Sequence, residues 1–157
     1  MKAILKVAEV SEATDAALLG ARLGIAALML THGIPKLIMF FSGQPVQFPP
    51  VLGMSAEVSL ALAVAAEVFC SIFVLIGFGT RLAVIPLAIT MIIAAFLIHG
   101  NDPLSVKEPA LQYLLVYVVL FLTGSGKYSL DYRWQGRAAT IHTNRRIESP
   151  VTQLDPS

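Results

Sequence analysis

Charge is what this sequence has least of. Only 13% of its 157 residues are Asp, Glu, Lys or Arg, about half the share of an ordinary soluble domain. Five of them fall in residues 1–15, eight in 124–157, and only eight in the 108 residues between. A soluble domain of that size needs a charged surface around its core, and this stretch cannot supply one. A single cysteine, Cys70, excludes an internal disulfide, a CxxC redox pair and a cysteine-rich metal site. Any redox chemistry therefore needs a bound cofactor or a partner, and no metal is expected from cysteine motifs. The net charge of +1 leaves no strongly basic face for nucleic acid. A signal peptide is not expected either. Glu9, Glu12 and Asp15 precede an apolar run too long for an h-region, with no small-residue cleavage site after it.

What is present is apolar. Hydrophobic residues make up 56% of the chain and the mean hydropathy is +0.75. Four long apolar runs cover residues 16–41, 56–78, 81–99 and 109–123. They are solidly Ala- and Leu-rich rather than alternating, which suits helices and not barrel strands. A span needs about 20 residues, so the fourth run is expected to borrow from 102–108 or 124–126. Pro109 suits the first turn of that helix, and Pro86 predicts a modest kink in the third. The expectation is an all-α integral membrane four-helix bundle over residues 16–131, with polar cytoplasmic segments at 1–15 and 132–157. Lys2, Lys6, Arg22, Arg81, Lys127, Arg133, Arg137, Arg145 and Arg146 fall on one side of such a bundle. Only Lys36 and Lys107 fall on the other. That asymmetry predicts that both termini are cytoplasmic. The segment between the first two helices, FSGQPVQFPPVLGMS, carries three prolines and two glycines. It is expected to lie on the outer membrane surface or to cap the bundle.

Ionisable residues inside spans cost about 2.5–3.5 kcal/mol each on insertion scales, which makes them candidates for function. On the first helix Arg22 and Lys36 lie within about 40° of one another, with Met29 and Gly33 between them and His32 flanking. Glu67 sits near the middle of the second span and needs a cation or a proton; Arg22 is the expected partner. His32 and His99 lie at similar depth near the outer ends of their helices. Two such imidazoles are consistent with a haem held between helices, although hydrogen-bonded histidines are the commoner use. Arg81 and Lys107 suit interfacial snorkelling. On the fourth helix Glu108, Gln112 and Thr123 form a polar stripe with Tyr113 beside it. Gly20 and Gly24 make a GxxxG pair suited to close helix packing. The GSGK at 124–127 does not satisfy the phosphate-loop spacing.

Taken jointly, these segments resemble the DoxX family of small four-helix bacterial membrane proteins. The resemblance is carried by RLGIAALMLTHGIPKL from Arg22, by AAEVFCSIFVLIGFGTR ending at Arg81, and by EPALQYLLVYVVLFLTGSGKYSLD from Glu108 to Asp131. It covers roughly residues 17–131 and singles out Arg22, Gly33, Lys36, Glu67, Arg81 and Asp131. The family includes a membrane subunit of a thiosulfate:quinone oxidoreductase, a membrane protein of methylamine utilisation, and partners of oxidative-stress enzymes. The resemblance therefore implies a bacterial inner-membrane subunit of a redox system that binds a quinone or passes electrons with a partner enzyme. In that scheme Glu67 or His32 exchanges the proton, and Arg22, Lys36, His99, Gln112 and Tyr113 hold the ligand. Gly33, Arg81, Glu108 and Asp131 belong to the structural pattern. Membrane lipid, a partner redox subunit and a second copy of the chain are the expected contacts. Two other readings stay open: a non-catalytic scaffold that docks a soluble oxidoreductase, and a small-molecule transporter.

Overall fold

A helix in lipid satisfies its own backbone, so an apolar run of sufficient length folds as one. The computed structural model describes residues 12–134. Within them are four helices long and apolar enough to cross a membrane: α1 Glu12–Phe41, α2 Ala56–Ile76, α3 Thr80–Ile98 and α4 Leu104–Thr123. There is no strand among the described residues. The expected segments 1–15 and 132–157 lie outside the described residues apart from 12–15 and 132–134. Over the described residues the chain is all-helical, with the four spans of a multi-pass membrane protein.

The helices run up and down, giving two ends. The loop end holds residues 42–55 and 99–103; the tail end holds the 77–79 turn and residues 124–134. Large apolar side chains such as Leu28, Ile38, Leu82, Leu115 and Leu122 point outward, as they must where the solvent is lipid. The core is a thin axial column. On α1 the buried positions are Asp15, Leu18, Arg22, Ala26, Met29 and Gly33, spaced by three or four as one helical stripe demands. The expected stripe through Arg22, Met29 and Gly33 is therefore real. Half of the most apolar stretch of α2 is buried, against 11% for α4: α2 packs between α1 and α3, whereas α4 packs chiefly on α3.

Two departures matter for the site. Residues Ala65–Cys70 of α2 and Ala94–Ile98 of α3 are π-helical. A π-turn widens the helix and is frequent at functional sites; here it buries three consecutive residues, Ala66, Glu67 and Val68. The fourth helix also begins earlier than Pro109 implied. It starts at Leu104, behind Pro103, which leaves Pro109 inside the helix rather than in its first turn. The helix needs that extra length to cross, and the mostly exposed residues 104–109 tolerate the missing hydrogen bond.

The loop from 42 to 55 caps the bundle. Val46 and Phe48 pack against Leu60, Val64 and Val68 of α2. Ser59 Oγ accepts from the Val51 amide at 3.1 Å, and Ser55 caps the start of α2 by accepting from Val58.

Candidate functional site

Glu67 is 1% exposed at the π-turn of α2. Its Oε1 is held by the Lys36 ammonium of α1, while Oε2 is buried with no hydrogen-bond partner among the described residues. Gly33 makes the pairing possible. A Cβ there would stand 2.9 Å from a Val68 methyl and 3.0 Å from the Glu67 carbonyl. The two backbones therefore touch, and Lys36, one turn further along α1, meets the carboxylate. The Lys36 ammonium also sits 5.8 Å from the centre of the Phe48 ring, contributed by the capping loop.

The expected partner, Arg22, lies elsewhere. Glu67 is level with Gly33, eleven residues from Arg22, which is about 16 Å along the helix axis and more than an arginine side chain spans. Arg22 instead donates to the carbonyls of Ser125 at 2.6 Å and Tyr128 at 2.8 Å. Around it the tail end forms a clasp. The Asp131 carboxylate accepts from the amides of Gly79 at 2.7 Å and Thr80 at 3.2 Å, capping the start of α3. Asp15 accepts from the Lys127 amide at 2.9 Å. Arg81 donates to the Leu122 carbonyl near the end of α4 at 3.2 Å. Gly77 has φ +70°, and a Cβ on it would collide with the Arg22 guanidinium and Ser129. The GSGK segment is thus part of a structural staple.

Two cavities flank the Lys36–Glu67 pair, and Lys36, Glu67, Ala94 and His99 line both. The larger, about 390 Å³, is apolar; Phe48, Leu52 and Met54 of the capping loop and Pro86 and Ile93 of α3 contribute to it. The smaller, about 230 Å³, brings in His32, Tyr113, Met29 and Met91. His32 meets the edge of the Tyr113 ring, with centroids 5.9 Å apart. At the rim, His99 Nδ1 and Asp102 Oδ2 are 2.7 Å apart. Five of the candidate residues, His32, Lys36, Glu67, His99 and Tyr113, thus come together. Gln112 does not join them: it is exposed and donates to Glu108 at 3.0 Å, one turn away on the outer face of α4. Gly20 and Gly24 face away from the bundle, where a Cβ on either would meet nothing within 4 Å.

Sequence reasoning missed the two π-turns, which border both cavities through Glu67 and Ala94, and no residue type announces them. It also missed Phe48, Leu52 and Met54 as cavity walls, although the apolar composition of that loop was a usable signal. Among the described residues no group of three or more His, Cys, Asp or Glu converges where a metal could be held.

Comparison with known proteins bears on this geometry. A family model described as DoxX matches residues 17–100, just over half of the chain. The matched stretch contains Arg22, Gly33, Lys36, Glu67, Arg81 and His99, and it stops before α4. An uncharacterized protein of Haemophilus influenzae is 28% identical over 120 residues, covering 72% of this chain and 87% of that protein. No solved structure matches the chain.

Proposed function

The chain belongs to the DoxX family, and from that premise we propose that it is a membrane subunit of a redox system whose loop-end cavity binds a quinone. The observation that carries the reading is Glu67 Oε2, a buried carboxylate oxygen with no partner among the described residues, beside an apolar cavity of about 390 Å³. Cavities of that size hold small ligands, and a few convergent polar groups on an apolar wall fix their orientation. An amphipathic ring with a carbonyl head fits this donor set. When bound, a quinone supplies a two-electron, two-proton acceptor. Lys36 and His99 are placed to donate to the head-group oxygen and to offset negative charge there. Glu67 Oε2 holds and exchanges the proton. His32 and Tyr113 line the adjoining cavity as hydrogen-bonding groups, and the imidazoles are read as donors rather than as haem ligands. Arg22 and Gln112, by position, take no part.

Electrons come from a partner subunit, because one cysteine cannot cycle a disulfide within the chain. The Lys/Arg asymmetry supports a bacterial inner-membrane location with the tail end in the cytoplasm, so the site lies near the opposite face.

Native mass spectrometry of the full chain in mild detergent, incubated with a short-chain quinone, tests the reading. A retained quinone mass is expected for the wild type and is lost in Glu67→Gln. A bare wild-type protein, or quinone reduction unaffected by Glu67→Gln and His32→Ala, would sink it. Loss of soluble-oxidoreductase recruitment on deleting residues 138–157, with no quinone bound by the intact chain, would support the scaffold instead.

A further inference from the structure

A carboxyl group that gives up a proton at each turnover must recover one, and the fold restricts the direction from which it comes. Towards the tail end the interior is closed. Ala26, Val74, Val84 and Leu120, one from each helix, are each 1% exposed or less and belong to one cluster. By register they form a single aliphatic layer about 10 Å from Glu67. Ser71 and Tyr117 hydroxyls lie buried on the Glu67 side of that layer. Towards the loop end the same carboxylate shares the walls of two cavities with His99, which is 40% exposed at its side chain.

We propose that His99 relays protons from the loop-end solvent to Glu67, with Asp102 as the positioning residue that makes the relay directional. This rests on the reading of Glu67 as the exchanging group. An ionised carboxylate only accepts, so Asp102 Oδ2 takes the Nδ1–H of His99 at 2.7 Å. That fixes the tautomer and leaves Nε2 as the exchanging nitrogen. Nε2 gains a proton from solvent, the imidazolium is stabilised by Asp102, and the proton passes across the cavity to Glu67 Oε2. One proton enters at His99 and one arrives at Glu67; no electron moves. Asp102 is exposed and stays in contact with solvent. The other titratable or charged groups facing His99 are occupied or lie off this line. Lys36 of α1 holds Glu67 Oε1. His32 of α1 packs on Tyr113 of α4. Lys107 of α4 donates to the Gly100 carbonyl. Residues 99–102 form the turn between α3 and α4, so the two relay residues are held by a short connection between packed helices.

The test uses the full chain in nanodiscs, without quinone. A light-triggered pH drop is followed by time-resolved infrared spectroscopy of the carboxylic C=O band that vanishes in Glu67→Gln. His99→Ala is expected to slow protonation of Glu67 by about 100-fold, the scale of a lost general acid. Asp102→Asn is expected to slow it by about tenfold, less than loss of the acid itself. Added free imidazole should restore the His99→Ala rate, which a merely misfolded variant would not show. An unchanged rate in His99→Ala, a slowed rate that imidazole does not restore, or no Glu67 band at any pH overturns the proposal. A quinone that fails to bind while the relay behaves as expected overturns the choice of ligand and leaves the relay standing.

Discussion

Four charged residues at the tail end hydrogen-bond to main chain, whereas four titratable residues at the loop end bond to one another's side chains. Arg22, Asp15, Arg81 and Asp131 all spend their hydrogen bonds on backbone carbonyls or amides of residues 79–80 and 122–128. Those partners cannot change protonation, and they lie on segments that must be fixed for the bundle to close. Lys36 pairs with Glu67 and His99 with Asp102 instead, beside the two loop-end cavities. The cost of placing a charge in a bundle is similar at both ends. What differs is whether the partner is a fixed dipole or another titratable group, and this separates a staple from a site.

Four variants test that division, in decreasing order of their effect on stability. Arg22→Met strips the Ser125 and Tyr128 carbonyls of their charged donor and should lower stability by about 3–5 kcal/mol, read as thermal unfolding in detergent; a change under 1 kcal/mol would place the staple elsewhere. Asp131→Ala removes the cap of α3 and should cost about 1–2 kcal/mol by the same measurement. The double variant Lys36→Met/Glu67→Gln removes a buried pair together, so it should stay within about 1 kcal/mol of wild type while quinone retention in native mass spectrometry is lost. A collapse of stability there would make the loop end structural as well. Gln112→Ala should change neither unfolding, within about 0.5 kcal/mol, nor quinone retention; loss of retention would return that residue to the site.

The sequence made the spans and the polar stripe of α1 legible, because length and helical period are local properties. Lys36, His32 and His99 were also readable as deep polar residues at one end. The pairing of Glu67 was not. Whether it meets Arg22 or Lys36 depends on how far α1 and α2 slide past one another. That offset is set by Gly33 fitting against the Glu67 carbonyl, a contact between segments more than thirty residues apart. The start of α4 was obscured because its first turn is polar, and hydropathy marks only the apolar part of a helix. The inward turn of Tyr113 and outward turn of Gln112, neighbours in sequence, follow from the 100° step between them once the face of α4 is known.

The two π-turns have a further consequence, for insertions and deletions. A π-turn is equivalent to one surplus residue in an otherwise regular helix. Deleting one residue from 65–70 would let α2 close into ordinary turns, and everything on one side of the deletion would rotate by about 100°. Glu67 would then leave the wall that it shares with Lys36, although every chemical group remained in the chain. A relative one residue shorter at this point would keep the spans and the staple but present a different side chain to the cavity.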